Sequence, residues 1–151
     1  MCGICGFTSV IPSPEGETPK AVDSYVDGKV CDATVLKAMC DVMAHRGPDG
    51  EGQYLADGIA LGHRRLSLID LEGGAQPLVY GDGEYVIVFN GEIYNYRDLR
   101  ADLEQQGWSF KTNSYTEVLL VGYLAWGEAV LDRVRGMFAF AIWSRDIREL
   151  F

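Results

Sequence analysis

Residues 85–96 read Tyr85-Val86-Ile87-Val88-Phe89-Asn90-Gly91-Glu92-Ile93-Tyr94-Asn95-Tyr96. The opening run from Tyr85 to Phe89 is uncharged and entirely β-branched or aromatic, which describes a buried strand, the clearest in the chain. Gly81-Asp82-Gly83 just before it has the composition of a hairpin turn. Such a strand needs sheet partners, and what surrounds it decides the fold class.

Ile4 to Val10 is short, apolar and rich in β-formers, so it reads as a buried strand. Pro12, Pro14, Gly16 and Pro19 mark a loop, and 18–30 carries no clear period. From Asp32 to Ala44 the spacing puts Val35, Leu36, Met39, Val42 and Met43 on one helical face, with Asp32 as N-cap. Strands are expected at Gly52–Leu55 and Gly58–Leu66, and Gly73-Gly74 with Gln76-Pro77 mark another loop. Tyr96–Gln106 is helix-like and stops at Gly107, a C-terminal cap. Thr116–Trp126 is a further helix, followed by a short helical turn around Glu128–Val134. Met137–Trp143 is a last buried strand, with Phe138, Phe140 and Ile142 alternating with Ala139, Ala141 and Trp143. Paired strands separated by helices make the class α+β with mainly antiparallel sheet.

At 151 residues the chain suits one domain with its own core. Its 48% hydrophobic and 23% charged residues are a globular mixture. The net charge of −9 argues against nucleic acid or an anionic membrane as partner, because both require clustered Lys and Arg. No apolar run reaches the roughly 20 residues of a membrane span, and no signal peptide is visible. Four cysteines in such a chain read as reduced thiols in the cytoplasm.

Two of those thiols open the sequence, in Met1-Cys2-Gly3-Ile4-Cys5-Gly6-Phe7. Three readings of Cys2 compete. Removal of Met1 would leave a thiol and a free α-amine on one residue. Such an amine titrates at about 7.7–8.0 and can take the thiol proton. A Cys2–Cys5 redox pair wants a helix N-terminus that this strand-like stretch lacks. A zinc site wants two close pairs of ligands, and Cys31 and Cys40 do not form one, so no metal site is expected. The plainest reading is packing, which suits Cys5, Cys31 and Cys40.

A thiol that attacks an amide needs two donors for the developing oxyanion. Asn90 offers a side-chain N–H and Gly91 an unobstructed backbone N–H at the end of the strongest strand. Asn-Gly is also a common turn dipeptide, and that alternative stands beside the first. In Gly62-His63-Arg64-Arg65 one arginine should face inward, either to fork onto a substrate carboxylate or to pair with Asp70 or Glu72. His45-Arg46-Gly47-Pro48-Asp49 reads as a polar loop held by local hydrogen bonds.

Taken together these stretches resemble a known family. Met1–Phe7, His45-Arg46-Gly47-Pro48-Asp49-Gly50, Gly62-His63-Arg64-Arg65-Leu66-Ser67-Leu68-Ile69-Asp70-Leu71, Phe89–Tyr96 and Arg135–Trp143 occur in the order of the glutaminase domain of glutamine-hydrolysing asparagine synthetases. These are class II glutamine amidotransferases of the N-terminal nucleophile fold. The resemblance implies a four-layer αββα sandwich in which Cys2 attacks the side-chain amide of glutamine. Asn90 and Gly91 match the oxyanion hole, Arg65 would clamp the glutamine α-carboxylate, and Leu66, Ser67, Leu68 and Ile69 would line the pocket. Glu92 would hold the α-amino group. The resemblance implies no cofactor for this half-reaction. ATP and Mg would serve a C-terminal synthetase domain, where ammonia converts activated aspartate to asparagine, and a homodimer is a further partner it leaves open.

Two departures stand out. The family usually reads Ser/Thr-Asp-x-Glu where this chain has Ser114-Tyr115-Thr116-Glu117, so Tyr115 replaces an acidic contact to the substrate amine. The chain also ends at Phe151 inside an expected strand, without the synthetase domain. Residues 1–151 therefore read as a partial amidotransferase domain, truncated and incomplete at its C-terminus. The alternative is an inactive fragment that acts only as a folding or interaction module.

Overall fold

The computed structural model describes residues 2–8, 33–56, 58–66 and 74–151. Two antiparallel sheets carry the molecule. The first has the order β1-β3-β2, built from β1 (Gly3–Thr8), β2 (Gly50–Ala56) and β3 (Ile59–Arg65). The second has the order β4-β5-β6-β7, from β4 (Leu78–Tyr80), β5 (Tyr85–Ile93), β6 (Gly136–Ser144) and β7 (Glu149–Leu150). Helix α1 (Ala33–Val42) covers the first sheet, and α2 (Tyr96–Gln105) with α3 (Tyr115–Trp126) covers the second.

The period of two along each strand sorts the side chains into layers. Ile59 and Leu61 of β3 meet Val86 and Val88 of β5 and Trp143 of β6 between the sheets. Ile87 and Phe89, on the other face of β5, pack with Ile142 against Leu99, Leu103 and the apolar run Val118–Val121. The result is the αββα order that the resemblance implies. The alternation along β6 is core packing as read: Phe138, Phe140 and Ile142 face the helices, and Ala141 and Trp143 face the other sheet.

Local chemistry explains where the elements stop. Gly107, at φ +93°, closes α2 while Trp108 N–H reaches back to the Leu103 carbonyl at 3.1 Å. Ser114 caps α3 by accepting from Glu117 N–H at 3.2 Å. The Glu117 carboxylate is buried and accepts from Lys111 N–H at 2.9 Å and from both the N–H and hydroxyl of Thr112, at 2.7 and 2.6 Å. That one side chain satisfies the loop that leads into α3.

Two readings change, and one element is new. Asn90-Gly91 is not a turn: β5 continues to Ile93, and Asn90 and Gly91 stay paired with Ala139 and Phe138 of β6. The buried face of α1 is Leu36 and Cys40, with Val35 and Val42 at 49% and 76% exposure. The helix lies over a surface floored by glycine: a Cβ on Gly62 would come within 2.6 Å of Cys40 Sγ and 3.1 Å of Leu36 Cδ1. A close contact on so narrow a footprint excludes the flanking valines. Finally β4, only three residues long, has no periodic signal of its own and exists as the partner of Tyr85–Ile87 across the expected turn. Asp32, Cys31, the Pro12–Pro19 loop, the unpatterned 18–30 and the end of the first strand at Val10 lie outside the described residues.

Gly62→Ala is expected to destabilise the fold by about 1–3 kcal/mol through overpacking against Cys40 and Cys5. In a Cys40→Ala background the same substitution should cost measurably less. Urea unfolding of the four proteins checks this; equal costs in both backgrounds contradict it.

Candidate active site

Cys2 precedes β1, and its neighbour Gly3 pairs with Arg64, so the thiol lies beside the last residues of β3. Leu66 N–H points at Cys2 Sγ at 3.3 Å, and the thiol donates to the Leu66 carbonyl at 3.6 Å. The Cys2 carbonyl accepts from Arg46 Nε at 3.1 Å. Cys5 stands on the opposite face of β1, its sulfur 3.7 Å from Cys40 Sγ. Burial pushes the Cys5 thiol up to about 12 and raises Cys40 as well, which makes both unreactive neutral thiols. The two N-terminal cysteines are therefore separated by the pleat.

Two cavities meet at Cys2. One of about 120 Å³ is lined by Cys2, Leu66, Asn90, Gly91, Glu92, Tyr115 and Met137. The other, about 30 Å³, is bounded by Cys2, Arg65, Leu66, Tyr115 and the polar side chains of His63, Gln76 and Thr116. The structure thus brings together Cys2, Arg65, Leu66, Asn90, Gly91, Glu92 and Tyr115, while Ser67, Leu68 and Ile69 lie outside the described residues, as do Met1, Asp70 and Glu72.

Each arrives by a local rule. Gly91 has φ +147°, and a Cβ there would strike the Met137 carbonyl and Phe138, so only glycine fits this close passage of β6. Asn90 precedes it, with Oδ1 buried and without a hydrogen-bond partner among the described residues. The adjacent arginines divide as the pleat requires. Arg64 turns to α1, bonding the Cys40 carbonyl at 3.1 Å and Glu51 at 2.8 Å, and is the structural one. Arg65 turns to the thiol. Tyr115 begins α3, its ring 5.2 Å from Phe89 and edge-on to Tyr96 at 6.0 Å. Burial raises its phenol pKa, Cys2 and Glu92 add to the rise, and Arg65 opposes it. Its proton is therefore held, and it can act as donor or acceptor.

The His45–Asp49 segment is more than a locally bonded loop. Besides the Arg46 bond to Cys2, Gly47 lies so close to the Arg64–Arg65 backbone that a Cβ would collide with it, and Asp49 N–H bonds the Arg65 carbonyl at 3.0 Å. This segment anchors both the thiol residue and the arginine beside it. Arg46 could have been suspected only from its adjacency to Gly-Pro, which fixes a backbone and frees a long side chain to reach away. Gln76 was equally hidden, inside a loop motif.

A family model described as a glutamine amidotransferase domain matches residues 1–151. Among curated relatives, asparagine synthetase [glutamine-hydrolyzing] 1 of Bacillus subtilis is 48% identical, covering 78% of this chain and 18% of its own length. A putative asparagine synthetase [glutamine-hydrolyzing] of Mycobacterium tuberculosis is 42% identical over 98% of this chain and 23% of its own. Asparagine synthetase B of Escherichia coli is 44% identical, over 70% of this chain and 19% of its own. This chain spans about a fifth of the length of these relatives. A solved structure of glutamine phosphoribosylpyrophosphate amidotransferase from B. subtilis, complexed with ADP and GMP, superposes with a TM-score of 0.50 at 29% identity, covering 60% of this chain and 22% of that one.

His63, 1% exposed between the sheets, has a pKa lowered from 6.5 to about 4, chiefly by burial. Between those values the unfolded chain takes up a proton that the folded chain refuses, so stability falls as pH falls. From pH 7 to pH 5 the expected loss is about 2 kcal/mol in urea unfolding. His63→Gln should flatten that decline, and an unchanged slope contradicts the assignment.

Proposed function

The chain belongs to the glutamine amidotransferase domain family, and on that premise we propose that it hydrolyses glutamine through Cys2 once Met1 has been removed. The observation that carries the reading is the cavity of about 120 Å³ that Cys2 lines together with Asn90 and Gly91. The freed α-amine takes the thiol proton, and sulfur attacks the side-chain amide carbon. As the C–S bond forms, the carbonyl oxygen becomes an oxyanion that accepts from the Asn90 amide and the Gly91 N–H. The C–N bond then breaks, the amine returns its proton, and ammonia departs. Water attacks the thioester, glutamate leaves, and the thiol is restored.

Arg65 would fork onto the α-carboxylate of the substrate, with Glu92 and Tyr115 toward its ammonium. In a longer protein like the asparagine synthetases it resembles, the ammonia would amidate aspartate. ATP and magnesium would act in that other region, and the hydrolysis described here needs neither.

Glutamate release from glutamine, lost in Cys2→Ala, is the expected outcome; equal release by that variant contradicts the proposal. Tyr115→Asp restores a charge for the ammonium and should lower KM for glutamine by roughly 5- to 30-fold, about 1–2 kcal/mol. An unchanged KM would mean that Glu92 suffices.

A further inference from the structure

Strand β5 loses one of its two neighbours before it reaches the thiol. β4 pairs with it only from Tyr80↔Tyr85 to Leu78↔Ile87, whereas β6 accompanies it on the other edge as far as Ile93↔Gly136. Phe89 therefore has a peptide group on an open edge, at a residue that is 1% exposed, where an unpaired group is costly. A side chain fills the gap. Phe89 N–H donates to Gln76 Oε1 at 2.6 Å. Gln76 is itself held at both ends. Its side-chain nitrogen donates to Thr116 Oγ1 at 3.4 Å at the start of α3, and its main-chain carbonyl lies against Gly52 of β2, where any Cβ would collide.

We propose that Gln76 is a positioning residue that takes the place of a missing strand at Phe89 and thereby aims the Asn90 amide and Gly91 N–H at the oxygen of the reacting carbonyl. The inference rests on the glutaminase reading above. Phe89 is bonded directly to Asn90, so a shift of its peptide plane is passed to both donors. Oxyanion stabilisation is steeply sensitive to such a shift, because the donors must meet the oxyanion and not the ground-state carbonyl. The loop residue Gln76 thus links β2, β5 and α3 at one peptide.

The test compares Gln76→Met, which keeps the volume but removes the acceptor, with Gln76→Glu, which keeps an oxygen for Phe89, in the full chain. Gln76→Met is expected to lower kcat for glutamine hydrolysis about 10- to 100-fold with KM within threefold. Phe89 amide hydrogen exchange, followed by NMR, should accelerate. Alkylation of Cys2 by iodoacetamide, a displacement at saturated carbon that needs no oxyanion hole, should stay within twofold. Gln76→Glu should recover most of the lost kcat. An unaltered kcat in Gln76→Met overturns the inference alone, as does an equal fall in alkylation or an equal defect in Gln76→Glu. Absence of Cys2-dependent turnover in the unsubstituted chain overturns the glutaminase reading itself, and this inference with it.

Discussion

The backbone of β6 passes so close to Gly91 that no side chain fits at that position. Much of the site follows from this contact. Because the ladder does not break at Asn90-Gly91, β5 runs on to Ile93, and the period of two carries Asn90 to the face shared with Cys2. Because residue 91 has no side chain, its backbone can line the cavity beside Cys2. An Asn-Gly pair in a hairpin would have spent the same glycine on reversing the chain.

Regular structure builds the sandwich, but irregular segments hold the reactive end together. The Cys2 carbonyl is fixed by Arg46, the Arg65 carbonyl by Asp49 N–H, the Phe89 N–H by Gln76, and the approach to Tyr115 by Glu117. Each bond joins residues remote in sequence or closes a loop without a ladder of its own. A buried peptide group left without such a partner costs about 1–3 kcal/mol. These polar groups therefore serve stability and geometry together. They also let strand ends and loops, where a substrate has access, be as fixed as a sheet interior.

The sequence made some of this legible and hid the rest for definable reasons. Tyr85–Phe89 and the run from Val118 to Val121 are apolar on both sides because they are covered on both sides, and such runs announce themselves. Gly107 was readable as a helix end because left-handed backbone favours glycine. Cys2, Arg65, Asn90, Gly91, Glu92 and Tyr115 were all named from motifs, and the fold brings them around one cavity system. The buried face of α1 was misplaced because hydrophobicity records which residues can be buried, while the glycine-floored sheet decides which ones are. Arg46 and Gln76 escaped because their partners are main-chain atoms, which leave no complementary residue type in the sequence to find.

Everything proposed for the site turns on Cys2, alone among the cysteines, attacking the amide of glutamine. The decisive experiment mixes the chain with glutamine, quenches in acid within the first turnover, and locates any glutamyl adduct by peptide mass spectrometry. A thioester on a peptide that begins at Cys2, with Met1 absent, is the expected result. An adduct on Cys5, Cys31 or Cys40, or one on Cys2 with Met1 still attached, would contradict it.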